Sequence, residues 1–149
     1  PVPNRLGWSG RLTALLIAFG CGLLLVLAAH LTPSPDGVGT HTGLGLQRCA
    51  WLSTMGYPCP TCGMTTSFSW FVRGNFLASF YIQPMGFVLA VLATMTFWAS
   101  LYVFATGKPA YVLLSFIPSR YALLPLLFFF IAAWGWKIFI HVHGIDGWR

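Results

Sequence analysis

Three stretches of the chain carry almost nothing but apolar side chains over the length of about 20 residues that a helix needs to cross a bilayer core: Leu12–Leu31, Met85–Phe104 and Tyr121–Ile140. One charge, Lys137, falls inside them, near the end of the third. Helix-stopping residues mark their borders. Thr32-Pro33-Ser34-Pro35-Asp36-Gly37 follows the first stretch and Gly107-Lys108-Pro109 follows the second. Pro84 suits the first turn of the second helix, where its missing N–H costs nothing. The pattern predicts an all-α integral membrane protein: three transmembrane helices in one membrane domain over residues 1–149, joined by a long cysteine-bearing loop over 32–84 and a short second loop. Arg5 and Arg11 ahead of the first apolar run imitate a secretory signal, but the run is longer than a usual signal core and no clear small-x-small cleavage site follows. It is read as a retained span.

The long loop has a pattern of its own. Thr32–Gln47, rich in Gly, Thr and Pro, reads as irregular chain. After Cys62, Met64, Phe68, Phe71 and Val72 fall on one helical face, with Thr65, Thr66, Ser69 and Arg73 on the other. Gly74 can end that helix in a left-handed conformation, and Asn75 can cap a second one carrying Phe76, Leu77, Phe80 and Tyr81. Both are too short to span, and their aromatic density favours the headgroup zone, so they are read as interfacial or re-entrant helices. The same aromatics could equally pack against the spans. Small residues recur at four-residue spacing in the first span (Ala14, Ala18, Gly22) and the second (Gly86, Ala90), which lets helices approach closely.

Composition agrees with the pattern: 57% hydrophobic, 7% charged, and a mean hydropathy of +0.76. Ordinary soluble domains are about 45–50% apolar and about 25% charged. A water-soluble enzyme is excluded on that ground, and so is a disordered chain. The net charge of +6 comes from scattered Lys and Arg rather than a basic face, which argues against nucleic acid. No acidic or basic residue lies mid-span, which counts against a pump or proton-coupled transporter. With three spans, Arg5, Arg11, Lys108 and Arg120 fall on one side and Arg48, Arg73, Lys137 and Arg149 on the other. The first group hugs the span ends, which favours a cytoplasmic N-terminus in a bacterial inner membrane, with the cysteine loop and C-terminus on the outer face. That face holds all the candidate chemistry: Cys49, Cys59, Cys62, all four histidines (His30, His41, His141, His143) and both aspartates (Asp36, Asp146).

The densest signal is Tyr57-Pro58-Cys59-Pro60-Thr61-Cys62-Gly63-Met64-Thr65. Read as a redox pair, Cys59 sits at a helix N-cap with Pro60 at the first helical position, and the helix dipole favours its thiolate. Neither a quinone-site charge nor a second cysteine pair for a relay accompanies it. Read as a metal knuckle, Cys49, Cys59 and Cys62 bind zinc, with His41, His141 or His143 as the fourth ligand. Read structurally, a disulfide joins Cys49 to Cys59 or Cys62 and pins the irregular loop. His30, His141 and His143 are possible ligands for haem, a pigment or a metal, though histidines at such places are more often interfacial side chains. Cys21, between two glycines in the first span, reads as a small packing residue.

The runs Gly39-Thr40-His41, Leu44-Gly45-Leu46, Cys49, Thr54 to Phe68, Arg73-Gly74, Ala78-Ser79-Phe80 and Gln83-Pro84-Met85-Gly86 resemble a bacterial family named domain of unknown function 2752, over about residues 37–95. Cys49, Cys59, Cys62, Gly63 and Thr65 match its hallmark positions. Thr66 stands where many members carry Arg, which removes the cation beside the cysteine pair. The resemblance implies a small multi-pass inner-membrane protein and brings no activity with it. Together these readings lead to a non-enzymatic membrane protein, an accessory or structural subunit of a larger membrane complex, in contact with lipid and with other membrane subunits. The alternatives are a thiol–disulfide oxidoreductase using Cys59 and Cys62, and a metal-bearing loop.

Overall fold

Long apolar segments become helices because lipid offers no partner for backbone N–H and C=O groups. The computed structural model describes residues 6–108 and 119–148, with the backbone alone for 119–122. Arg5, Arg149, the Arg120 side chain and the helix stop at Pro109 lie outside the described residues. Six α-helices are described, α1 (Trp8–His30), α2 (Ala50–Met55), α3 (Met64–Val72), α4 (Phe76–Ile82), α5 (Pro84–Thr106) and α6 (Ser119–Val142), with a 3-10 turn at Thr40–Leu44 and no strand among the described residues. Three are long and apolar enough to cross a membrane: α1, α5 and, from Leu123, α6. The second and third predicted spans lie within α5 and α6, and the first lies within α1 up to His30, with Leu31 its extended C-cap. Only 17% of each span's most apolar window is buried inside the molecule, which leaves the rest to face lipid.

The α1 and α5 helices form the main antiparallel pair. Ala14 and Ala18 are buried on α1, and Gly22 lies against the Phe97 ring, where a Cβ would come within 3.1 Å. The predicted small-residue ridge of α1 is therefore a packing face. The ridge on α5 divides. Ala90 is fully buried, whereas Gly86 meets Ser67 of α3. Arg11, at the start of α1, donates to the Phe104 carbonyl at 2.9 and 2.8 Å and to that of Ala105 at 3.2 Å, which satisfies free carbonyls at the end of α5. Gly107 closes α5 at φ +68°, and Pro84 stands in its first turn, as the sequence predicts.

The short helices fall where the pattern places them, but α3 is turned the other way from a helix in a soluble protein. Thr66, Ser67 and Ser69 are completely buried. Ser67 donates to the Ser79 carbonyl at 2.8 Å and Ser69 to that of Ala28 at 3.0 Å. Phe71 packs with Phe76 and with Phe87 of α5, at centroid distances of 5.2 and 5.8 Å. So the hydroxyls pin α3 to α1 and α4, and Phe71 leans on the second span. Gly74 is left-handed (φ +79°), and the Asn75 side chain accepts from the Ala78 N–H at 3.1 Å. Ala50–Met55 is a helix that the sequence reading did not anticipate.

Candidate functional site

The cysteine loop is a tight turn fastened at several points. Cys62 N–H donates to the Cys59 carbonyl at 3.0 Å, and Ser67 N–H reaches the Gly63 carbonyl at 2.8 Å as α3 begins. The N-cap of α3 is Gly63, not Cys59. Pro60 lies in the preceding turn, so the redox reading's placement of Cys59 at the cap does not hold. Three side chains from elsewhere hold the loop. Gln83, buried at the α4–α5 junction, donates to the Pro60 carbonyl at 2.9 Å, while its own side-chain oxygen has no partner. Trp134 of α6 donates to the Pro58 carbonyl at 3.0 Å. Lys137 of α6 lies under Gly63.

Lys137 is fully buried. It donates to the Gly37 carbonyl at 3.0 Å and pairs with one carboxylate oxygen of Asp146, whose other oxygen is 2.9 Å from His141 Nδ1. Four chain segments meet here, and glycine makes that possible. Gly63 (φ +86°) has no room for a Cβ, which would come within 2.9 Å of both the Gly37 carbonyl oxygen and the Lys137 ammonium. At Gly37 (φ +71°) a Cβ would collide with the Asp146 carbonyl. The sequence reading did not bring an acid–base constellation together, but the fold does. Lys137, Asp146 and His141 form one, because the tail turns back at Gly144 and carries the acid to the only charge in the third span. The available signal was that coincidence: one lysine inside an apolar span and one of only two acids in the chain shortly after it.

Above this support lie the thiols. The Cys59 and Cys62 sulfurs are 3.2 Å apart, and Cys59 Sγ is 3.2 Å from the Thr61 hydroxyl. Cys49, at the start of α2, brings its sulfur into the same group, so that all three lie within 4.8 Å of one another. All four cysteines are free, and Cys21 stays apart as a half-buried span residue. The two motif thiols differ in character. Burial works against ionising Cys59, but hydrogen bonds to Thr61, Cys62 and Cys49 outweigh it and bring the thiol from 9.0 down to about 7. Cys62 is buried, and burial together with its bond to Cys59 pushes it up to about 12. Near neutral pH the outer sulfur is thus substantially thiolate, while the inner one keeps its proton.

The sulfurs face a cavity of about 520 Å³, which is walled also by Ser34, His41, Arg48 and Thr66. His41 lines this space but stays out of the sulfur group, and its Nε2 lies 3.1 Å from the Gln47 carbonyl. The other histidines do not converge on the thiols. His141 is committed to Asp146, His143 Nδ1 lies 2.8 Å from the Phe139 carbonyl, and His30 is exposed. The three cysteines could hold a soft metal ion, but no histidine is placed as a fourth donor.

Residues 49–97 match a family model described as a protein of unknown function (DUF2752). The match takes in the three clustered cysteines, α2 to α4 and the first part of α5, so the family resemblance holds over that segment; the Gly39–Leu46 portion of the resemblance falls outside it. No curated protein and no solved structure matches the chain.

Proposed function

Starting from a segment that matches a family with no assigned activity, we propose that this multi-pass membrane protein is a thiol–disulfide oxidoreductase. Cys59 is its attacking thiol and Cys62 its resolving thiol. The observation that carries this reading is the 3.2 Å contact between an accessible sulfur and a buried one. Closing it to a disulfide of about 2.05 Å needs a shift of only about 1 Å. In the exchange, the Cys59 thiolate attacks one sulfur of a substrate disulfide and expels the other as a thiolate. Cys62 then gives up its proton and attacks Cys59, forming the Cys59–Cys62 bond and releasing the second substrate thiolate. Two electrons pass from the pair to the substrate, and the reverse sequence oxidises a dithiol. Cys49, within 4.8 Å, is a third thiol able to take over the bond from either partner. On an oxidising outer face of a bacterial inner membrane, with the N-terminus cytoplasmic, the pair would rest as a disulfide.

Replacing the resolving thiol tests this. Cys62→Ser together with Cys49→Ser, which removes the other thiol able to resolve it, should accumulate a mixed disulfide at Cys59 in the full-length protein when treated with an aromatic disulfide, whereas the parent protein should release two thiolates and leave Cys59 joined to Cys62. A Cys59 inert to both disulfides and alkylating reagents under reducing conditions would overturn the reading.

A second reading rests on the third sulfur. Three thiols this close suit zinc or copper(I), with the cavity supplying any further ligand. It requires about one equivalent of tightly held metal per chain. A role within a larger complex is compatible with either chemistry. Leu123, Leu124, Phe128 and Ile131 leave one end of α6 exposed, as a lipid-facing or subunit-facing surface would be.

A further inference from the structure

A thiol pair that cycles needs somewhere to send or collect its electrons, and an apolar groove borders the cavity it faces. An apolar groove of about 370 Å³ runs along α1 from Gly20 to Leu31, closed by Leu44 of the 3-10 turn and by Met64, Thr65 and Phe68 of α3. Met64 and Thr65 also wall the polar cavity of the three cysteines, so the two spaces are neighbours that share this pair of residues as a common wall. At about 1.5 Å of rise per residue the groove covers about 16 Å, roughly half of a hydrocarbon core of about 30 Å. It therefore runs from the depth of a bilayer interior to the Met64–Thr65 wall of the cysteine cavity. A molecule occupying both spaces has a hydrocarbon chain and a compact polar head that sits among sulfurs. The head space also offers Arg48, which can donate to a carbonyl oxygen. The sequence showed no charge for such a head, because Arg48 lies well inside the long loop and only the fold brings it to the cavity.

We propose that the groove and the cysteine cavity together bind an isoprenoid quinone, which oxidises the Cys59–Cys62 pair. This rests on the thiol–disulfide reading and names its membrane electron acceptor. The step balances. The Cys59 sulfur bonds to a ring carbon of the quinone. Cys62 then attacks the Cys59 sulfur, the S–S bond forms, and the carbon–sulfur bond breaks with its electron pair left on the ring. The two thiol protons end on the two ring oxygens. One quinone and two thiols give one quinol and one disulfide.

The test uses the full chain, reduced and placed in nanodiscs of defined phospholipid without quinone, to which a long-chain ubiquinone is added. One quinol should form for each Cys59–Cys62 disulfide, and the rate should saturate with quinone. Gly20 lines the groove, and a Cβ there meets nothing within 4 Å, so Gly20→Phe adds a ring at the groove from a position with open space at its Cβ. That variant should lower the rate with the long-chain quinone on the order of tenfold. Its oxidation by a water-soluble aromatic disulfide should be unchanged, which shows that the fold is intact. Oxidation by the aromatic disulfide without any by quinone, or a Gly20→Phe rate equal to the parent's, overturns the quinone site and leaves the oxidoreductase reading standing. A phospholipid found to occupy the groove with no quinol formed does the same. A pair that neither oxidant converts to a disulfide overturns both.

Discussion

The contact between α1 and α5 and the attachment of α6 are built on opposite principles. The first runs along two spans and is made of size: Ala14, Ala18 and Gly22 give up side-chain volume so that backbones approach. The second is concentrated at one end of α6 and is made of direction. Trp134 reaches Pro58, Trp136 donates to the Tyr81 carbonyl at 2.7 Å, and Lys137 reaches Gly37 and Asp146. Dispersion between small residues tolerates sliding, whereas a hydrogen bond in a water-poor place fixes a point. The first contact makes a scaffold; the second decides where the cysteine loop sits on it.

The comparison can be broken most severely at Lys137. Lys137→Met leaves Asp146 buried without its cation and should cost about 3–5 kcal/mol. Thermal unfolding in mild detergent reads this, and adding Asp146→Asn should restore a large part of the loss. Cys62 should become open to alkylation in the single variant, because its support has gone. Next comes the other interface. Ala18→Leu overpacks α1 against α5 and should cost about 1–3 kcal/mol, while the alkylation rate of Cys59 stays near the parent's. If overpacking there changed the thiols as much as Lys137→Met does, the two contacts would not be separate devices. Trp134→Phe removes one directional bond and keeps the ring, for a loss of about 1 kcal/mol and a modest rise in Cys62 exposure.

The least disruptive probe is pH. A thiol reacts as its thiolate, so a lowered value opens reactivity at lower pH. Cys59 should reach half its maximal alkylation rate near pH 7, whereas Cys62 should stay slow until about pH 12. Thr61→Val removes a hydrogen bond that favours the Cys59 thiolate and should move its midpoint upward. Two cysteines titrating together would contradict the asymmetry.

Much of the scaffold could be read from the chain, because lipid imposes length and apolarity on any spanning helix. The α3 and α4 boundaries were also legible, since Gly74 and Asn75 carry local signals that do not depend on the rest of the fold. What α3 buries was not. In water the face of Thr66, Ser67 and Ser69 would be the outer one. Here Ser67 and Ser69 turn inward onto carbonyls of α4 and α1, Thr66 meets the Thr40 hydroxyl, and Phe71 packs on the second span. The cysteine motif marked the site, but Cys49 joins it only because α2 forms, and Lys137 only because the tail returns. Contacts between segments far apart in sequence leave no periodic trace. The N-cap placed at Cys59 failed for a local reason: Pro60 through Gly63 prefer a turn, and the helix waits for a left-handed glycine.

The proposed oxidoreductase chemistry requires that Cys59 and Cys62 work as one two-electron pair. The direct measurement is a redox titration of the purified full-length protein in glutathione or dithiothreitol buffers, with the two sulfurs scored by mass after alkylation. Both labels should disappear together, in one transition with a two-electron slope, about 30 mV for each tenfold change in the ratio of dithiol to disulfide. Labels that persist at every potential, or vanish independently while the protein holds an equivalent of zinc, would contradict it.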